Sequence, residues 1–72
     1  MTKHEELKKL GRNIAKWRGK KHLSQDALAL EAEVGRRTIH RIEVGATDAR
    51  FSTLSRIAKT LGIKVKDLVD FQ

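Results

Sequence analysis

The stretch Ser24 to Glu43, SQDALALEAEVGRRTIHRIE, decides the fold. Ser24 is a good helix N-cap, and Asp26 stands in the first turn where the helix dipole favours an anion. A short helix to about Ala32 follows, with Leu28, Ala29 and Ala32 on its buried side. Val34-Gly35 breaks the pattern, and a second short helix runs from Arg36 to about Glu43, burying Ile39 and Ile42. Small Ala29 permits a close crossing of the two helices, and Val34, Ile39 and Ile42 anchor the second on the first. Two short helices joined by a turn of about three residues, the second held clear of the body, suit insertion into a groove.

On the N-terminal side, Thr2 followed by Glu5 forms a capping-box pattern. Leu7, Leu10, Ile14 and Trp17 then recur at helical steps, predicting a helix from about Glu5 to Lys20. Gly11 inside it costs about 1 kcal/mol relative to Ala, which is explained if another backbone must approach there. Gly19 and Lys20-Lys21-His22 mark the exit. On the C-terminal side, Gly45 ends the Arg36 helix and Asp48 is placed to cap the next. That helix, about Arg50 to Leu61, is expected to bury Phe51, Leu54, Ile57, Ala58 and Leu61, and Gly62 closes it. Ile63, Val65, Leu68 and Val69 predict a fifth, short helix. Alternation of apolar and polar residues occurs only in Ile63 to Lys66, too short to need a sheet. The expectation is an all-α, compact five-helix bundle, one domain over residues 1–72.

The 72 residues hold one modest core and no room for a deep enzyme pocket. Absence of Cys excludes disulfides, thiolate metal sites and thiol nucleophiles. No apolar run approaches the ~20 residues of a membrane span, and the N-terminus lacks a signal-peptide stretch, so a cytoplasmic domain is expected. His4, His22 and His40 lie on separate segments without ligand spacing; no metal and no cofactor is expected. Neither Glu5-Glu6 nor Asp67 with Asp70 makes an acid–base pair, and there is no Gly-rich phosphate loop. Catalysis is disfavoured.

Charge supplies the positive indication. Sixteen Lys and Arg against nine Asp and Glu give +7, the footprint of a polyanion partner. Residues 23–49 are net acidic, with three basic and five acidic side chains, yet Arg36, Arg37 and Arg41 cluster within six positions. Arg37 and Arg41 share a helix face.

LGRNIAKWR, LSQDALA, VGRRTIHRIE and LSRIAKTLGIKVKDL together resemble the Cro/phage-repressor (Xre-like) helix-turn-helix family, from Leu10 to Leu68. The resemblance implies a lambda-repressor-like domain with Arg36 to Glu43 as recognition helix in the major groove of double-stranded DNA. It implies base contacts from Arg36, Arg37 and Arg41, since a guanidinium can donate two bonds to guanine O6 and N7. Ser24, Gln25, Thr38 and Arg50 match backbone-contact positions, and Arg18 with Glu43 matches a structural ion pair. Two departures stand in the turn: Glu33 where the family commonly has Gly, and Gly35 where it has a Ser or Thr cap. This exchange would give Gly35 the flexible role. Leu30 and Val44 occupy commonly polar positions.

The expected function is a sequence-specific transcriptional regulator, acting as a homodimer on a palindromic operator. Ile63, Val65, Leu68, Val69 and Phe71 are the candidate dimer seam, because they exceed the apolar needs of one short helix. Rival readings are a restriction–modification controller, an antitoxin with a toxin or other protein partner, and an interaction module that has lost DNA binding.

Overall fold

The computed structural model describes residues 2–70, and these form five helices and no strand. They are α1 (Lys3–Lys20), α2 (Gln25–Ala32), α3 (Arg36–Glu43), α4 (Phe51–Leu61) and α5 (Val65–Leu68). Thr2 caps α1, its hydroxyl accepting from Glu5 N at 3.1 Å, so that helix begins two residues before the expected start. Ser24 caps α2 likewise, accepting from Ala27 N at 3.0 Å. Asp48 does not cap α4; Arg50 is the N-cap without a side-chain bond, and the Asp48 carboxylate instead pairs with Lys3 at 3.2 Å.

The first four helices end in the same way. A left-handed residue follows the last turn, and the next N–H reaches back to the carbonyl five residues earlier. The left-handed residues are His22, Glu33, Gly45 and Gly62, at φ 56°, 57°, 75° and 72°. The closing bonds are Leu23 to Arg18, Val34 to Ala29, Ala46 to Arg41 and Ile63 to Ala58, all 2.9–3.1 Å. The turn between α2 and α3 therefore corrects one expectation. Gly35 has ordinary extended backbone (φ −60°, ψ 141°) as the N-cap of α3, and Glu33 itself takes the left-handed conformation. A side chain there costs about 1–2 kcal/mol that glycine avoids. Glu33→Gly is expected to stabilise the fold by about 1 kcal/mol after the larger chain entropy of glycine is deducted, a Tm rise of about 4–8 °C in thermal unfolding.

The core is aliphatic: Ile14, Leu28, Ile39, Ile42, Ile57, Leu61 and Leu68 are fully buried, with Leu10, Ala29, Ala32, Leu54 and Ala58 around them. Phe51, expected inside, is 72% exposed. It is the first residue of α4, and because Cβ bonds tilt toward a helix N-terminus, its side chain projects beyond the helix start rather than onto its inner face. Gly11 behaves as its position in α1 requires. A Cβ there would meet the Glu43 carbonyl and lie 2.5 Å from the Ile42 carbonyl oxygen, so α1 and the end of α3 touch backbone to backbone.

Asn13 was not singled out by any sequence pattern, yet its amide holds the C-terminal end. It donates to the carbonyls of Leu68 (2.8 Å), Asp70 (3.1 Å) and Asp67 (3.3 Å), satisfying carbonyls that α5 leaves free. Asp67 in turn accepts from Lys64 N at 2.9 Å, starting α5. Among the described residues no helix is long and apolar enough to cross a membrane.

Candidate nucleic-acid interface

α3 is fastened on one side and open on the other. Ile39 and Ile42 face the core, while Arg36, Arg37, Thr38, His40 and Arg41 are all exposed. At about 100° per residue, Arg37 and Arg41 lie side by side along the middle of the open face. Thr38 and Arg41 flank one recess of about 210 Å³, closed on the far side by Thr47, Asp48, Arg50 and Thr53. Arg36, Arg37 and His40 flank a second, with Gln25 and Asp26 opposite. Six of the seven residues expected on a DNA surface (Gln25, Arg36, Arg37, Thr38, Arg41 and Arg50) thus line the two recesses that flank α3. A helix with its side chains is about 10–12 Å across, a cross-section that the ~12 Å wide major groove admits.

The fastening is a partly buried ion pair. Arg18 on α1 grips the Glu43 carboxylate with two bonds, Nε to Oε2 at 2.7 Å and Nη2 to Oε1 at 3.0 Å. Its remaining Nη1 donates to the Leu23 carbonyl at 2.9 Å. The side chains are 21% and 6% exposed, and the bond to Glu43 raises the Arg18 pKa above its ordinary value against the opposing effect of burial. Gln25 adds its Nε2, donating to Glu43 Oε1 at 3.0 Å. One carboxylate at the end of α3 therefore ties together the exit of α1, the start of α2 and the end of α3. The Arg18–Glu43 pair matches its expected place; the Gln25 arm does not follow from spacing, because it depends on how α2 and α3 cross.

The other expected residues divide. Ser24 Oγ accepts the cap bond of α2, which leaves its hydroxyl hydrogen free to donate. Arg36 Nε lies 3.5 Å from Asp26 Oδ1. Arg37, Arg41 and Arg50 have no carboxylate partner among the described residues. At the proposed dimer seam, Leu68 is corrected: it is completely buried in its own chain and has no surface to offer. Ile63 and Val65 are half-buried against the core and Val69 is exposed, while Phe71 lies outside the described residues. Among the described residues no three His, Asp or Glu side chains converge as metal ligands.

Residues 14–68 match the helix-turn-helix family. The chain belongs to the Xre/Cro-like helix-turn-helix family. This family consists of DNA-binding regulators, not enzymes. Control protein C.BamHI of Bacillus amyloliquefaciens is 38% identical over 52 residues, which is 72% of this helix-turn-helix chain and 64% of that protein. The chain thus spans just under two thirds of that relative's length. The restriction-modification controller protein C.AhdI from Aeromonas hydrophila superposes with a TM-score of 0.87 at 26% identity, covering 89% of this chain and 97% of that one. The competence regulator ComR from Streptococcus vestibularis superposes at 0.83 with 35% identity, but this chain covers only 22% of it. Small stand-alone controllers and larger regulators therefore carry the same helix-turn-helix unit.

Proposed function

We propose that the chain, as one domain over residues 1–72, is a sequence-specific double-stranded DNA-binding regulator of transcription. The observation that carries this reading is the ridge of Arg37 and Arg41, exposed along the open face of α3 and without carboxylate partners among the described residues. In a major groove these guanidiniums reach base edges, where a bidentate contact to guanine discriminates by about 1–3 kcal/mol. Arg36 contributes from the first turn. In this reading Gln25, Thr38 and Arg50, which line the recesses beside the ridge, and the Ser24 hydroxyl contact the DNA backbone. α3 alone reads too few bases for operator specificity, so the protein acts as a homodimer with half-sites about 34 Å apart on a palindromic operator. Ile63, Val65 and Val69 supply the seam. The working compartment is the cytoplasm.

Within this class, control of a restriction–modification locus is favoured over an antitoxin role. C.AhdI is described as a restriction-modification controller protein and nearly the whole of it is matched, and C.BamHI is named a control protein.

Selection of bound duplexes from a random pool tests the reading and yields the site. A palindrome whose half-sites are centred about one helical turn apart supports the dimer. If about six phosphates are neutralised, affinity for the selected duplex falls by ~10³ between 50 and 200 mM salt. Failure to enrich any duplex, with stable folding retained, contradicts the reading and leaves a protein-interaction module.

A further inference from the structure

Ile39 and Ile42 are 0% and 1% exposed, so the buried direction of α3 runs between them. At about 100° per residue, the opposite direction passes within about 10° of Arg37. Arg41 stands about 50° to one side of that line and His40 about 50° to the other. Arg36 and Thr38 stand farther round, at about 90° and about 110°. His40 is therefore as central on the open face as Arg41, although it is not one of the arginines read as base contacts.

The surroundings of His40 leave it available. It is exposed and lines the recess with Gln25, Asp26, Arg36 and Arg37. Its imidazole enters no ion pair among the described residues, whereas Asp26 across the recess has Arg36. The inner side of α3 is held by Ile39 and Ile42 and its end by Glu43, so the fold does not call on this side chain.

When α3 lies along a major groove with this face inward, directions near the centre meet the groove floor. Those at about 90° or more meet the walls, where the phosphates run. An imidazole is too short to reach a base edge from a wall, but near the centre it faces one. In either protonation state it keeps at least one N–H to donate. The acceptor that guanine and adenine both present in the major groove is N7, an atom pyrimidines lack.

Resting on the DNA-binding reading above, we propose that His40 is a fourth base-reading residue, donating to N7 of one purine in each half-site. It selects purine over pyrimidine on one strand at that position. Because it flanks the midline on the side away from Arg41, its purine is not the guanine that Arg41 takes.

The test replaces each purine of the selected duplex in turn by its 7-deaza analogue, which lacks N7 and keeps the pairing edge. Wild-type protein, His40→Ala, Arg37→Ala and Arg41→Ala are titrated with each of these duplexes and with a random duplex, once thermal unfolding has shown the variants to be folded. At one purine the replacement should weaken wild-type binding about fivefold per half-site, the worth of one neutral hydrogen bond. The same replacement should leave His40→Ala unaffected and still weaken Arg37→Ala and Arg41→Ala. On the unmodified selected duplex His40→Ala should lose about the same fivefold per half-site, with binding to random duplex unchanged. If His40→Ala keeps every 7-deaza effect of the wild type, or loses equally on selected and random duplexes as a phosphate contact would, the proposal is overturned while the DNA-binding reading stands. A folded wild-type protein that binds no duplex overturns both.

Discussion

Arg18→Met is expected to destabilise the protein by about 3–5 kcal/mol, a large part of what a domain of this size possesses. The substitution keeps an apolar stem along the end of α1 but removes both bonds to Glu43, whose side chain is only 6% exposed. Gln25 alone then faces a buried carboxylate, and the Leu23 carbonyl loses its donor as well. The location aggravates the loss: Glu43 is the last residue of α3, where the helix dipole is unfavourable to an anion. Arg18→Met with Glu43→Leu should recover most of the stability, since replacing both members of a buried pair by apolar groups is often nearly neutral. A double-mutant cycle by urea unfolding checks this. A coupling of about 2 kcal/mol or more supports the pair as a unit, and simple addition of two losses contradicts it. The raised Arg18 pKa means that its contribution is complete below the ordinary arginine value and is lost only in stronger alkali. Stability around neutral pH should therefore not vary through Arg18.

Gly11→Ala is expected to cost about 3 kcal/mol or more, at the upper end for an overpacked site. The added Cβ would lie 2.5 Å from the Ile42 carbonyl oxygen and press on the Glu43 carbonyl, and neither is the end of a flexible side chain that can step aside. α3 must move away from α1, which also draws Glu43 from Arg18. Thermal unfolding should show a drop of about 12–24 °C. Gly19→Ala is the control, because a Cβ there meets nothing within 4 Å inside the same helix. It should stabilise the fold by about 0.5–1 kcal/mol. Comparable losses from both substitutions would mean that helix propensity, not the close approach of α1 and α3, governs these positions.

Both effects concern the same junction, and that junction sets how firmly α3 is presented. Its buried side rests on Ile39 and Ile42, and its end is held by Glu43 and the Gly11 contact. The open side is left to Arg37 and Arg41. Rigidity behind the helix is what allows a base contact to carry specificity, since a mobile recognition helix would lose ordering entropy on binding.

How much of this was legible in the sequence follows from the range of each interaction. Thr2 and Ser24 bond three residues ahead, so the starts of α1 and α2 can be read locally. Gly45 and Gly62 announce their helix ends for the same reason, whereas His22 and Glu33 hide two more, because nothing in a His or Glu side chain marks left-handed backbone. Periodicity located the core but misled at the edges. Phe51 has the right spacing for burial and the wrong place, at the first position of α4. Leu68 looked surplus to one short helix, yet it fills space between α5 and the rest of the core. The open face of α3 was readable from Arg36, Arg37 and Arg41 alone. The Gln25–Glu43 and Asp26–Arg36 contacts were not, since they exist only once α2 and α3 cross.

In the proposed function, Arg41 and its neighbours read bases from the major groove. Chemical methylation of the selected duplex tests it most directly, because guanine N7 lies in the major groove and adenine N3 in the minor groove. Wild-type protein should shield specific guanine N7 atoms, and Arg41→Ala should lose shielding at one guanine per half-site while Lys21→Ala keeps them all at matched occupancy. Shielding that is confined to adenine N3, or that survives Arg41→Ala, Arg37→Ala and Arg36→Ala alike, would mean that these arginines do not read bases in the major groove.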